Sequence, residues 1–207
     1  GEGLWLGVAR PLSPLLPARW RPVTADAIAR CMLAIARGDV ATAMPALEAL
    51  LGAARTAGIV AVTIYLETLL GRAKFIAGDY AGAVELLSEK AETASVPRAS
   101  LHGLTKIWLA EAKIAAGMAA EADAILEEAE REMTERGEAG SLAHCWATKG
   151  KAALMGGNLP AAEAAFARGL DQANILWMRP VADICKAGLA GVAAARQAAA
   201  PSATAAG

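Results

Sequence analysis

Apolar residues recur at three- and four-residue spacing in two runs that flank a small polar turn. TIYLETLLGRAKFI (Thr63–Ile76) lies before Gly78-Asp79, and AGAVELLSEKAETA (Ala81–Ala94) lies after it. Both runs follow the 3.6-residue helical period rather than strict alternation, which predicts an amphipathic helix on each side of the turn. The turn recurs. Arg37–Leu47 reads RGDVATAMPAL, Ala77–Leu87 reads AGDYAGAVELL, Ala116–Leu126 reads AGMAAEADAIL and Gly156–Phe166 reads GGNLPAAEAAF. Aligned on Gly38, Gly78, Gly117 and Gly157, the copies stand 40, 39 and 40 residues apart. Five residues after each glycine comes Ala43, Ala83, Ala122 or Ala162, and nine after it Leu47, Leu87, Leu126 or Phe166. Seven before it comes a small residue, Cys31, Gly71, Ala110 or Gly150. A constant period of this size is the mark of a stacked repeat.

The physical reading of one unit is a helical hairpin. Glycine closes the first helix in a left-handed cap. Asp39, Asp79 and Asn158 are placed to cap the second, and Pro160 suits a first-turn position. The small residue and the alanine allow two helix backbones to approach, and the large residue fills the space between neighbouring units. One such hairpin cannot bury its apolar face alone, so units must stack. The pattern predicts helices over about 24–37, 40–57, 60–77, 80–94, 98–116, 119–136, 140–156, 159–175 and 179–198. Pro45 marks a kink or late start in the second, and Pro180 opens the last, which acts as a cap. Residues 1–22 carry Pro11, Pro14, Pro17 and Pro22 and read as an extended arm or linker, with Trp5 and Trp20 able to pin it to the repeats. Residues 23–198 form the repeat domain, and the Ala-rich 199–207 reads as a disordered tail.

The pattern resembles the tetratricopeptide repeat, best at Gly71, Gly78-Asp79-Tyr80, Ala83 and Leu87 and over about residues 24–175. The usual period is about 34 residues, so each helix here is expected to be longer by about a turn. The family tryptophan is in register only as Trp146, and the closing proline only loosely, as Pro97 and Pro180. Repeats lengthened in this way are similar to the C-terminal arms of bacterial signalling proteins, namely maltose-regulator-type transcription activators and ATPase regulators linked to cyclase domains. FARGLDQANILWMRPVADICKAGLAGV (Phe166–Val192) is especially similar to them. The resemblance implies an all-α, right-handed superhelical solenoid of about four antiparallel helix pairs plus a capping helix. It also implies a cytoplasmic protein-interaction scaffold, a regulatory part of a larger bacterial signalling or transcription-regulating protein.

Composition narrows the picture. Of 207 residues, 56% are hydrophobic but only 4% aromatic, and the excess is alanine and leucine, good helix formers. A formal net charge of −1 provides no field to draw in nucleic acid. The apolar stretches are broken by charge or glycine before the ~18 residues that a membrane span needs. Cys31, Cys145 and Cys185 lie far apart with no CxxC and read as small core residues in a reduced compartment. No catalytic, cofactor-binding or metal-binding constellation is visible, so no cofactor is expected and the chain does not read as an enzyme.

The candidate site is the groove lined by the first helix of each unit. Positions six before each glycine are Met32, Arg72, Glu111 and Lys151. The alternation of charge supports two readings: an internal ladder Arg72–Glu111–Lys151, or two cations that hold a carboxylate of a partner. Tyr65, Thr68, Leu104, Ile107, His144, Ala147 and Met155 complete the predicted groove, a mixed polar and apolar surface suited to a protein or peptide, including another domain of the same chain. A small effector in the same groove is the alternative. Eight acids and two arginines crowd Glu121–Glu138, either a solvated face or an acidic docking face. Trp177 either packs as the anchor of the last helix, the preferred reading, or stands exposed as a contact site.

Overall fold

A computed structural model of the chain describes residues 24–93 and 102–199, the side chains of 92, 93 and 102 excepted. The predicted N-terminal arm, the tail from 200 onward and Pro97 lie outside the described residues. Among the described residues the protein is all-α, with nine helices and no strand. They are α1 Ala25–Ala36, α2 Val40–Ala57, α3 Val60–Ile76, α4 Tyr80–Thr93, α5 His102–Ala115, α6 Ala119–Arg136, α7 Ala139–Met155, α8 Leu159–Ile175 and α9 Arg179–Ala199. Each expected helix is present. Pro45 lies inside α2 without dividing it.

Local chemistry sets the boundaries. Gly38, Gly78, Gly117 and Gly157 all take positive φ, between 74° and 86°, the left-handed corner that only glycine enters without steric penalty. Thr24 caps α1 by accepting a hydrogen bond from Ala27 N, and Asp39 caps α2 by accepting from Thr42 N. Asp79 Oδ1 accepts from Gly82 N, and Asn158 Oδ1 accepts from Ala161 N. Each of these bonds satisfies a donor that the first helical turn leaves unpaired.

The described residues fall into two compact units that divide between Thr105 and Lys106, inside α5. In the first, α1, α2, α3 and α4 pack each on the next, and α1 also touches α3. In the second, α6, α7, α8 and α9 pack in sequence, and α7 also touches α9. Turns of two or three residues make successive helices within each unit antiparallel neighbours.

The repeat register lies at the core. Ala43, Ala83, Ala122 and Ala162 have no exposed surface, and Leu47, Leu87, Leu126 and Phe166 are likewise buried. The small residue of the first helix receives the large residue of the second helix of the same hairpin. A β-carbon on Gly71 would lie 2.7 Å from Leu87, and one on Gly150 would lie 2.6 Å from the Phe166 ring. Leu87 and Phe166 therefore fill their own hairpins, where the expectation placed the large residue in the space between neighbouring units. Phe166 does both, because its ring also lies against Gly188 of α9. Cys31, Cys145 and Cys185 are free and buried. Burial pushes the Cys145 thiol up to about 12, so this sulfur stays protonated and packs as a small apolar group.

Candidate partner-binding site

Glu111, His144 and Lys151 meet in the second unit. Glu111 comes from α5 and is only 6% exposed, while His144 and Lys151 come from α7. Lys151 Nζ donates to Glu111 Oε1 at 3.1 Å, and His144 Nε2 stands 3.8 Å from the same oxygen. Lys151 keeps 40% of its side chain exposed, so an internal carboxylate anchors a lysine that still reaches solvent.

The other predicted groove residues are distributed differently. Ile107 is wholly buried and Thr68 is 2% exposed, so neither offers surface to a partner. Thr68 Oγ1 donates to Ile64 O within its own helix. In the first unit, Tyr65 donates its hydroxyl to Met32 Sδ at 3.0 Å, a contact from α3 to α1. The Arg72 guanidinium lies over the Phe75 ring, 4.8 Å from its centroid.

Three charged arrangements went unread in the sequence. Glu67, 6% exposed, accepts from Lys90 of α4 at 2.7 Å and from Arg55 of α2 at 2.6 Å. Burial alone would raise its carboxyl, but the hydrogen bonds from Lys90 and Arg55 outweigh burial and hold it below the ordinary carboxylate value. Lys106, 7% exposed, binds Glu132 at 2.9 Å and Glu128 at 3.2 Å. Glu130 accepts from Trp146 Nε1 at 2.8 Å and from Lys149, and Arg168 approaches it at 3.3 Å. The Arg168 guanidinium also lies over the Trp146 ring, 4.4 Å from the centroid. A clue existed. Glu67, Lys106 and Trp146 all stand eleven residues before a turn glycine; the first two are buried, and a buried charge demands a partner.

The acidic run of α6 is therefore largely a set of counter-charges. Glu121 binds Lys113, Glu127 and Glu130 bind Lys149, and Glu128 and Glu132 bind Lys106. These contacts reach into α5 and α7, so the five acids serve as counter-charges, while Glu121, Glu127 and Glu128 keep 61%, 71% and 50% of their side chains exposed, in keeping with the solvated-face reading.

Trp177 is also corrected. It is 88% exposed, where packing against the last helix was preferred, and its neighbours Ile175 and Leu176 are 69% and 39% exposed. Its backbone explains the projection. Gly58 and Gly137, which close α2 and α6, have φ 70°, and Trp177 takes the same role after α8 at φ 57°. The hydrogen bonds are equivalent. Gly58 N and Ile59 N donate to Arg55 O and Ala54 O, Gly137 N and Glu138 N to Thr134 O and Met133 O, and Trp177 N and Met178 N to Asn174 O and Ala173 O. A bulky residue in the left-handed region is disfavoured by about 1–2 kcal/mol. Met178, the next residue, reaches Gly140 at the start of α7, with its sulfur 3.7 Å from where a β-carbon would stand. Gly140, His144 and Lys151 share one face of α7 by helical spacing, so that face runs from the Trp177 turn to the Glu111–Lys151 pair.

Among the described residues no group of three or more His, Cys, Asp or Glu side chains is placed to hold a metal ion, and no helix is long and apolar enough to cross a membrane. Neither the models of known protein families nor the curated proteins include a match to this chain.

Proposed function

We propose that this chain is a protein-binding module of tetratricopeptide-like repeats, with hairpins that stack in a right-handed superhelical sense within each unit. The partner is a protein or peptide, including a regulatory domain carried on the same polypeptide. The observation that carries the reading is Trp177, a tryptophan kept in a strained left-handed turn where two equivalent turns use glycine, with nearly all of its indole presented outward. Strain of this kind persists where the side chain is used, and tryptophan is the residue type most enriched among binding hot spots. Lys151, at the far end of the same α7 face, supplies a cation that anchors a carboxylate on the partner. Arg72 is a second such cation, in the first unit.

The test is selection of random peptides displayed on phage against the whole chain, followed by titration of the enriched peptides. Trp177→Gly should weaken their binding by tenfold or more while leaving helicity intact, and Lys151→Glu should weaken peptides that carry an acidic residue. Failure to enrich any peptide, or enrichment of peptides that bind Trp177→Gly and Lys151→Glu as tightly as the parent, would remove this surface from consideration. Stoichiometric calorimetric heat with a fractionated metabolite pool, abolished by Lys151→Glu, would instead favour a small effector at the same face.

A further inference from the structure

The four hairpins are comparable position by position, and the first is unlike the rest. The residue eleven before the turn glycine is Ala27, Glu67, Lys106 or Trp146, and the residue eleven after it is Ala49, Glu89, Glu128 or Arg168. In three hairpins a large side chain joins these two places. Lys90 ties Glu67 to Glu89 at 2.7 and 2.8 Å, Lys106 reaches Glu128 at 3.2 Å, and Arg168 stacks on Trp146. The first hairpin has alanine at both places. What remains there is an open groove of about 390 Å³ between α1 and α2, lined by Ala27, Arg30, Ala34, Ala46, Ala49 and Leu50 among others.

The lining is small and apolar, so a charged occupant would lose hydration without compensation. A flat aromatic group suits it. Arg30 borders the groove, held by Asp26, and a guanidinium laid on an indole is the contact that the fourth hairpin already makes. We infer that the groove receives the indole of Trp20 from the same chain, which takes the place that Trp146 fills in the fourth hairpin. Trp20 precedes the α1 cap, Thr24, by four residues, and four residues span at most about 14 Å. Ala27 and Cys31 lie about 4.5 and 10 Å beyond Thr24 along the helix axis, within the reach of a chain that doubles back. Trp5 would have to close a much longer loop at greater entropic cost. An indole from a second copy would carry the further cost of association. The groove is on this account an internal receptor for the arm.

The test is fluorine NMR of the full chain labelled with 5-fluorotryptophan. Its five resonances, from Trp5, Trp20, Trp108, Trp146 and Trp177, are assigned by single Trp→Phe substitutions, and a soluble paramagnetic agent reports exposure. Trp177, 88% exposed, is the exposed standard. The inference expects Trp20 to broaden severalfold less than Trp177, independently of protein concentration. Ala27→Trp, which plugs the groove, should make Trp20 broaden as strongly as Trp177. Ala49→Leu provides a smaller plug with the same expected result should Ala27→Trp lose helicity. Three outcomes overturn the inference: Trp20 as broadened as Trp177 in the parent, shielding of Trp20 that survives both plugs, or shielding that fades on dilution, which would assign the groove to a neighbouring copy.

Discussion

At Trp177 the backbone and the side chain make opposed demands. The turn asks for glycine, as at Gly58 and Gly137, yet an indole occupies it at φ 57°. Trp177→Gly should therefore raise stability by about 1 kcal/mol, seen as a higher urea midpoint. A fall in stability would mean that the indole packs in solution. The reverse experiment applies at Gly71, where the added side chain would have to displace Leu87, 2.7 Å from the new β-carbon. Gly71→Leu should lower stability by about 1–3 kcal/mol or more through overpacking. Melting like the parent would show the register to be wrong.

At the level of the helices, the elements were legible because two signals agreed, the 3.6-residue period and the caps at Asp39, Asp79 and Asn158. Pairing within a hairpin was legible from the small residue and its large counterpart, Gly71 with Leu87 and Gly150 with Phe166. The charged contacts were not. Periodicity marks which positions are buried, but not which of several acids a buried cation selects. Glu127 stands four residues from Arg131, yet it pairs with Lys149 of α7. Trp177 was misread because nothing local in NILWMRP distinguishes a packed indole from one projected by a left-handed turn. The tie between helices with most at stake is Glu67–Lys90, with both side chains under 10% exposed. Glu67→Ala should lower stability by about 3–5 kcal/mol in urea denaturation, because it leaves a buried ammonium short of a partner. Replacing the pair together, by Glu67→Leu with Lys90→Met, should restore most of that loss. A double variant no better than the single one would show that the loss comes from packing rather than charge.

For the molecule as a whole, each of the two units carries a carboxylate, buried in Glu67 and half-buried in Glu130, whose folded pKa lies below its ordinary 4.5. In Glu67, burial opposes the shift and hydrogen bonds from Lys90 and Arg55 overcome it. In Glu130, burial again opposes, and Lys149 and Trp146 overcome it. Carboxylates depressed in the folded state contribute stability that is fully present above about pH 4.5 and is lost as pH falls through their folded values. Urea midpoints should therefore hold from pH 7 to about 5 and drop below 4.5, with a smaller drop in Glu67→Leu with Lys90→Met. An equal drop in that variant would place the acid sensitivity elsewhere. The central claim is that one helical hairpin recurs with its corner at Gly38, Gly78, Gly117 and Gly157. Backbone NMR chemical shifts of the full chain test it most directly. The account predicts helical shifts over the nine helices, broken at each of those four glycines by a left-handed residue. Helical shifts that run through the glycines without a break, or extended shifts within Val60–Ile76 or Ala139–Met155, would contradict it.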